Sequence, residues 1–237
     1  MESHHCKDHL ELSGSGLTPE EAARLARGEL AVTIAAAARE RMEESFAQVR
    51  SILASGRPSY GISTGFGELS RVTITEDQNY ELQRNLIRSH AAGVGPAFPA
   101  EVVRAMMLLR LNALCVGYSG VNPQVADLLA SLINEGITPL VPEQGSLGAS
   151  GDLAYLAHMS LVLMGEGEAE VDGEVMSGGE ALARRGLRPV RLYGKDGLAL
   201  INGTSGMLAL GILTLLEAEA CLKAANAAAA LTFEALR

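Results

Sequence analysis

The sequence predicts a mainly α-helical fold with one small β-hairpin excursion, and three observations carry that reading. Long runs with helical apolar spacing are rich in Ala, Leu, Met, Glu and Arg, the 26 glycines cluster between those runs, and aromatic residues make up only 4% of the chain. Thr18-Pro19-Glu20-Glu21 supplies an N-cap, a first-turn proline and a capping-box glutamate for a helix running to about Gly28. A second helix is expected across Val32 to Ala54. Thr75 and Gln78 repeat the capping-box spacing and open a helix that ends near Gly93. Pro99 begins another, through Met106, Leu109 and Ala113, which read as a core stripe, up to the Gly117–Gly120 break. Asn122-Pro123 caps a helix that stops at Gly136. Ala169-Glu170-Val171, Asp172-Gly173 and Glu174-Val175-Met176 form the hairpin, because Asp-Gly favours a type I′ turn. Ser177 and Glu180 cap a short helix closed by Gly186. A long Ala/Leu-rich helix starts near Ser205 and still runs at Arg237 without a stop signal. The expected division is an N-terminal tail at 1–12, a helical domain at 13–204, and from 205 to 237 the start of a long helix cut in mid-course.

The 237 residues carry 19 Lys+Arg against 28 Asp+Glu, a net charge of −9, and 48% are hydrophobic, enough for a sizeable core. An acidic surface repels phosphate backbones and anionic lipid, which argues against nucleic acid and membrane as partners. Cys6, Cys115 and Cys221 are widely spaced and odd in number, without the close pairs of a zinc site or redox dithiol, so they read as cytosolic thiols. No basic stretch followed by an apolar run opens the chain, and cytoplasm is the default compartment. His4, His5, Cys6 and His9 have a spacing that can hold a metal, but a solvated tail is the simpler reading and no metal is expected. Gly197 to Leu216 is twenty uncharged residues long. Asn202, Gly203, Thr204, Ser205 and Gly206 inside it would be costly in hydrocarbon, so a buried helix preceded by a polar loop is expected.

Chemistry in such a chain belongs on its loops. Tyr60-Gly61-Ile62-Ser63-Thr64-Gly65-Phe66-Gly67 holds a phenol and two hydroxyls among three glycines, and its plainer reading is a structured Ω-loop. In Gly145-Ser146-Leu147-Gly148-Ala149-Ser150-Gly151-Asp152, Ser150 suits a helix N-cap and Asp152 a first turn. A phosphate cradle fails there, since no Lys-Ser/Thr pair follows the last glycine, and a nucleophile elbow fails because Asp152 stands where a glycine is needed. What remains is Ala-Ser-Gly itself, small enough for a backbone nitrogen to attack the carbonyl two residues back and form an electrophilic ring.

Gly148-Ala149-Ser150-Gly151-Asp152-Leu153-Ala154-Tyr155-Leu156-Ala157-His158 resembles the signature of the aromatic amino-acid ammonia-lyase and aminomutase family, especially its histidine-specific branch. Tyr60 to Gly67 is similar to that family's tyrosine loop, Leu82-Gln83-Arg84-Asn85-Leu86 to Gly95 to its Ser-His helix end, and Leu200-Ile201-Asn202-Gly203-Thr204 to its Asn-Gly-Thr loop. The resemblance runs from about Leu12 onward, in family order. It implies the helical N-terminal portion of an ammonia-lyase-type fold, homotetramers in the intact family, and a 4-methylideneimidazole-5-one (MIO) group formed from Ala149, Ser150 and Gly151 with no external cofactor. Family chains continue well past this point, and the further half contributes an arginine for the substrate carboxylate and another tyrosine. Tyr155 stands where proline is common in the family.

By the same resemblance the reaction is elimination of ammonia from L-histidine to give trans-urocanate. Tyr60 corresponds to the base, with Thr64 and loop amides to lower the pKa of its phenol from about 10. Asn202 corresponds to the residue that helps hold ring or substrate, and Asp152 to a support for cyclisation. Ser89, His90 and Leu153 correspond to the substrate pocket. Ser-His at this site goes with histidine in the family, and His90 can hydrogen-bond an imidazole, although a helix-end histidine also complements a dipole. His158 reads as a residue that packs or hydrogen-bonds internally. Thr204-Ser205-Gly206-Met207 departs from the histidine-specific pattern toward some aminomutases. Two rivals stay open: a tyrosine or phenylalanine lyase or aminomutase of the same family, and a truncated, non-catalytic helical partner that needs a separate C-terminal chain.

Overall fold

A computed structural model describes residues 8–56, 59, 61–62 and 76–236. It begins with strand β1 (Asp8–Leu12), which pairs in parallel with β2 (Leu30–Ile34), register Asp8 to Leu30 through Leu12 to Ile34. Helix α1 (Pro19–Ala26) is the crossover, with the expected capping box: Glu21 N–H donates to Thr18 Oγ1 at 3.2 Å, and Thr18 N–H to Glu21 Oε2 at 2.9 Å. Two expectations are corrected here. Residues 8–12 are a strand and not a solvated tail, and the helix expected from Val32 starts only at Ala36 as α2 (Ala36–Ala54). The β-branched run Val32-Thr33-Ile34 favours a strand. The Asn134 side chain then satisfies both Val32 N–H, at 2.8 Å, and Val32 C=O, at 3.0 Å.

The chain continues through α3 (Glu76–His90), β3 (Val94–Ala97), α4 (Ala100–Cys115), α5 (Pro123–Asn134), β4 (Thr138–Pro139) and β5 (Pro142–Gln144). It then forms α6 (Leu153–Leu163), β6 (Glu168–Val171), β7 (Glu174–Ser177), α7 (Gly178–Arg184), α8 (Asp196–Ile201) and α9 (Ser205–Ala235). The mainly α reading stands, and so does the β6–β7 hairpin, whose turn residues Asp172 and Gly173 both have positive φ, 54° and 79°. The single β excursion does not. Among the described residues there are three small sheets, β1–β2, β3–β5 and β4–β6–β7. Strands β3, β4 and β5 are too short, or too rich in proline and glycine, to show alternation, whereas β1, Asp-His-Leu-Glu-Leu, does alternate and falls within the segment expected as a tail.

Helix α4 lies at the centre of the core. Met106, Met107, Leu108, Leu111 and Leu114 are fully buried, together with Leu25 of α1 and Leu129 and Leu132 of α5. Each such side chain contributes about 1.5–3 kcal/mol of burial. Ala113 is exposed, so the stripe expected through Met106, Leu109 and Ala113 holds only for its first two members. The apolar stretch after Lys195 divides at Asn202–Thr204 into α8 and α9. Residues 196–235 are long and apolar enough, by length and composition, to cross a bilayer. Ser205, Gly206 and Ala209 at the start of α9 are buried, whereas Leu222, Leu231 and Phe233 further along are exposed.

Candidate active site

The pairing of β3 with β5 builds the site. Val94 faces Gln144 and Ala97 faces Pro142 in an antiparallel ladder. Strand β3 follows the C-terminal end of α3, which carries Ser89 and His90, and β5 leads directly into Gly145–Asp152. Two motifs far apart in sequence thereby line one cavity of about 300 Å³, bounded by Ser89, His90, Ala149, Ser150, Gly151 and Leu153 among others. Ala149 and Ser150 are exposed to it.

The end of α3 is fixed from two sides. Arg84 and Arg88 grip Glu166, after α6, with Nε to carboxylate distances of 3.0 and 2.8 Å. Partial burial pushes the Glu166 carboxyl up, but the two guanidinium groups outweigh it and hold its pKa below the usual value. Beyond the helix, Gly93 N–H donates to Nε2 of His158 at 3.0 Å, and burial lowers the pKa of that imidazole. His158 thus hydrogen-bonds internally, as expected, and by that bond anchors the segment that follows His90. His90 Nδ1 lies 2.8 Å from Leu86 C=O, which fixes the Nδ1–H tautomer. Its Nε2 is then an acceptor with no hydrogen bond among the described residues.

The Ser-Gly-Asp stretch departs from its sequence reading. Helix α6 begins at Leu153, Asp152 occupies the N-cap position without a capping bond, and Ser150 caps nothing. The Asp152 carboxylate reaches other elements, accepting Met207 N–H at 2.8 Å and Ser146 Oγ–H at 3.2 Å. Met207 is in the first turn of α9, whose own N-cap, Thr204, makes no side-chain bond, so Asp152 supplies the anion that this turn lacks. Asp152 N–H donates to Gly203 C=O at 2.6 Å. Gly151 has φ +109°, and a Cβ there would run into the backbone of Gly203, so only glycine fits. Tyr155 donates its hydroxyl to Glu143 C=O at 2.7 Å and sets its ring edge-on to Phe98.

Behind Gly203 lies Arg110, a residue the sequence reading passed over. It projects from the apolar centre of α4, is 5% exposed, and donates Nη1–H to Asn202 C=O at 3.1 Å and Nη2–H to Ala199 C=O. Burial without a carboxylate partner lowers its pKa to about 10. At the other end of α8, Asp196 is fully buried and accepts Asn122 N–H at 2.7 Å and Tyr193 N–H at 2.8 Å. Burial raises its pKa to about 7. The sequence shows Arg110 as a lone charge inside the run Met106 to Leu111, but carries no local sign of what that charge meets.

Of the residues singled out from sequence, Ser89, His90, Ala149, Ser150, Gly151 and Leu153 share the cavity, and Asp152 adjoins it from within the core. Asn202 does not line it, and its exposed side chain sits on the turn that backs Gly151. Tyr60, Thr64 and Thr75, like His4, His5 and Cys6, lie outside the described residues. Three small adjacent residues on a cavity wall, one of them held by backbone where any Cβ would clash, suit a loop that cyclises on itself.

Comparison with known proteins agrees with this architecture. Histidine ammonia-lyase of Treponema denticola is 57% identical over 226 residues, which is 95% of this chain and 45% of that one. The structure of the ergothionase of Treponema denticola superposes with a TM-score of 0.86 at 33% identity, covering 90% of this chain and 42% of the other. Tyrosine aminomutase from Streptomyces globisporus superposes with a TM-score of 0.81 at 43% identity, covering 86% and 38%. The chain thus spans less than half the length of each of these relatives. The family model described as aromatic amino acid lyase matches residues 17–237, and the chain belongs to that family.

Proposed function

We propose that this chain provides part of the active site of a carbon–nitrogen lyase that eliminates ammonia from L-histidine to give trans-urocanate. The observation that carries the reading is the shared cavity, on which the Ser89-His90 pair and the Ala149-Ser150-Gly151 triplet meet. The triplet is read as the source of an MIO group. Gly151 N bonds to the Ala149 carbonyl carbon, and the carbonyl oxygen leaves as water with the amide protons of Gly151 and Ser150. A second water takes the Ser150 hydroxyl and its Cα proton. The fold favours this by holding the reacting atoms close.

Once formed, the group supplies an electrophilic exocyclic carbon that polarises the amino acid. The chain's own residues do the rest. His90, with Nδ1–H engaged by Leu86, offers Nε2 to the N–H of an imidazole, a recognition that an apolar pair cannot give. Leu153 packs against the side chain of the substrate. Tyr60, by its match to the family's tyrosine loop, takes the β-proton, and Asn202 helps orient the reacting groups. Assembly as a homotetramer in the cytoplasm, or association with a separate C-terminal chain, completes the site.

The test measures urocanate from L-histidine together with the mass of the peptide containing Ser150. The chain is assayed alone and with a polypeptide covering the part of its relatives that it does not span. A loss equal to two waters, and turnover abolished by Ser150→Ala, is the expected result. Histidine turnover with an unmodified triplet would overturn it. A second reading, an aminomutase or lyase acting on tyrosine or phenylalanine, is favoured by the 43% identity to tyrosine aminomutase and by Thr204-Ser205-Gly206-Met207. Coumarate, cinnamate or a β-amino acid as the main product would select it.

A further inference from the structure

A guanidinium in the centre of an apolar core needs a reason, because burying a charge without a counter-ion is costly. Arg110 has no carboxylate partner among the described residues, and its Nε is buried without a hydrogen bond. Its two engaged nitrogens both reach peptide carbonyls at the end of α8, Ala199 and Asn202, where helix carbonyls lack partners and the dipole is negative. An α8 of only six residues does not account for so expensive a cap. What adjoins that end does. A Cβ on Gly203 would overlap Arg110 Nη1, and a Cβ on Gly151 would overlap Gly203 in turn. Guanidinium, Gly203 and Gly151 are therefore stacked in direct contact, and Gly203 C=O also takes the amide proton of Asp152 at 2.6 Å. Gly151 carries the nitrogen that must approach the Ala149 carbonyl carbon.

We propose that Arg110 is a positioning residue for maturation of the triplet: it holds the Asn202–Gly203 turn rigid against Gly151, so that the loop is compressed toward ring closure. The inference rests on reading Ala149-Ser150-Gly151 as a self-cyclising loop. It concerns formation of the group and assigns Arg110 no contact with substrate.

Freshly expressed wild type, Arg110→Met, Arg110→Lys and Leu108→Ala are compared for the rate at which the Ser150 peptide loses two waters, with the thermal midpoint of each. Leu108 lies on the same helix and is fully buried, so it controls for loss of stability alone. Arg110→Met, which loses both bonds to the end of α8, is expected to mature about tenfold more slowly, since of the two only the bond to Asn202 holds the turn in the closing geometry. Arg110→Lys falls between, since an ammonium cannot span both carbonyls. Leu108→Ala should mature at the wild-type rate despite a lower midpoint. Wild-type maturation in Arg110→Met, or an equal delay in Leu108→Ala, would overturn the inference. Should Arg110→Met fail to fold, Arg110→Lys and Gly203→Ala, which presses a methyl into the guanidinium, decide by the same measure. An unmodified wild-type peptide would instead remove the reading of the loop, and the role of Arg110 with it.

Discussion

At its first turn α9 is buried at Ser205, Gly206 and Ala209, and its Met207 amide is answered by the carboxylate of Asp152 from the far side of the site. Along its later turns the same helix exposes Leu222, Leu231 and Phe233, the last at 73%. One end is shaped by a few directional bonds among groups removed from water, whereas the other is apolar surface of the kind that marks an interface. Sensitivity to substitution should divide accordingly. Asp152→Ala would leave Met207 N–H without its acceptor and is expected to cost about 3 kcal/mol of unfolding free energy, besides stopping the loss of two waters from the triplet. Leu222→Gln should change the unfolding free energy of the single chain by less than about 0.5 kcal/mol. Denaturant midpoints of the two variants measure the contrast, and equal effects would break it.

The glycines draw the same contrast within one loop. Gly148 and Gly151 both have positive φ, +69° and +109°, but only Gly151 has backbone in the space of its missing Cβ. Gly148→Ala should cost about 1 kcal/mol, the conformational penalty alone. Gly151→Ala is expected to cost about 2 kcal/mol more, as the Gly203 turn is pushed away. Matching midpoints for the two variants would show that the turn yields, and that the stack from Arg110 to Gly151 is soft.

What could be read in the sequence was local. The β6–β7 turn is encoded by Asp172-Gly173 itself, and the caps of α1 and α7 by residues three apart, so these emerged as expected. The β3–β5 pairing was hidden, because Val-Gly-Pro-Ala has no strand pattern and its partner lies more than forty residues away. The motifs of the site were legible as a family resemblance, yet their contacts were not. Asp152 looked like a first-turn carboxylate for its own helix, and only folding brings Met207, 55 residues on, to it. Arg110 was concealed by its neighbours: the run from Met106 to Leu111 reads as core, and nothing local shows that α8 ends against its one charge.

Two titrating groups, buried Asp196 and half-buried His158, sharpen the picture by opposite pH dependence. Asp196 keeps its proton up to about pH 7 when folded, while its ordinary value is 3.8. Between those values the folded state binds more protons, so its contribution to stability falls as pH rises through the window. His158 has a folded pKa below its ordinary 6.5, so the unfolded chain binds more protons there and stability is lost as pH drops below 6.5. Protonation would also end the role of Nε2 as acceptor for Gly93 N–H. Midpoints followed from pH 4 to 8 should lose the first slope in Asp196→Asn and the second in His158→Gln. Exchange of the Gly93 amide should quicken at low pH only while His158 is present.

A small effect is expected from removing the hydroxyl of Tyr155, on the rim between the two regimes. Its ring packs edge-on to Phe98, with centroids 5.1 Å apart, and would occupy the space of a Cβ on Gly206. Its hydroxyl adds one bond to Glu143 C=O on β5. Tyr155→Phe keeps the ring and removes only that bond, at a half-exposed position where water can replace it. The cost should therefore be about 0.5–1 kcal/mol, with maturation of the triplet unchanged. Tyr155→Ala would instead empty the space beside Gly206 and Phe98 and cost about 3 kcal/mol. Thermal midpoints of the two variants separate ring from hydroxyl. If Tyr155→Phe proves the more damaging, the bond to β5 holds the β3–β5 ladder and hence the cavity itself, and the rim belongs with the directional end of the molecule.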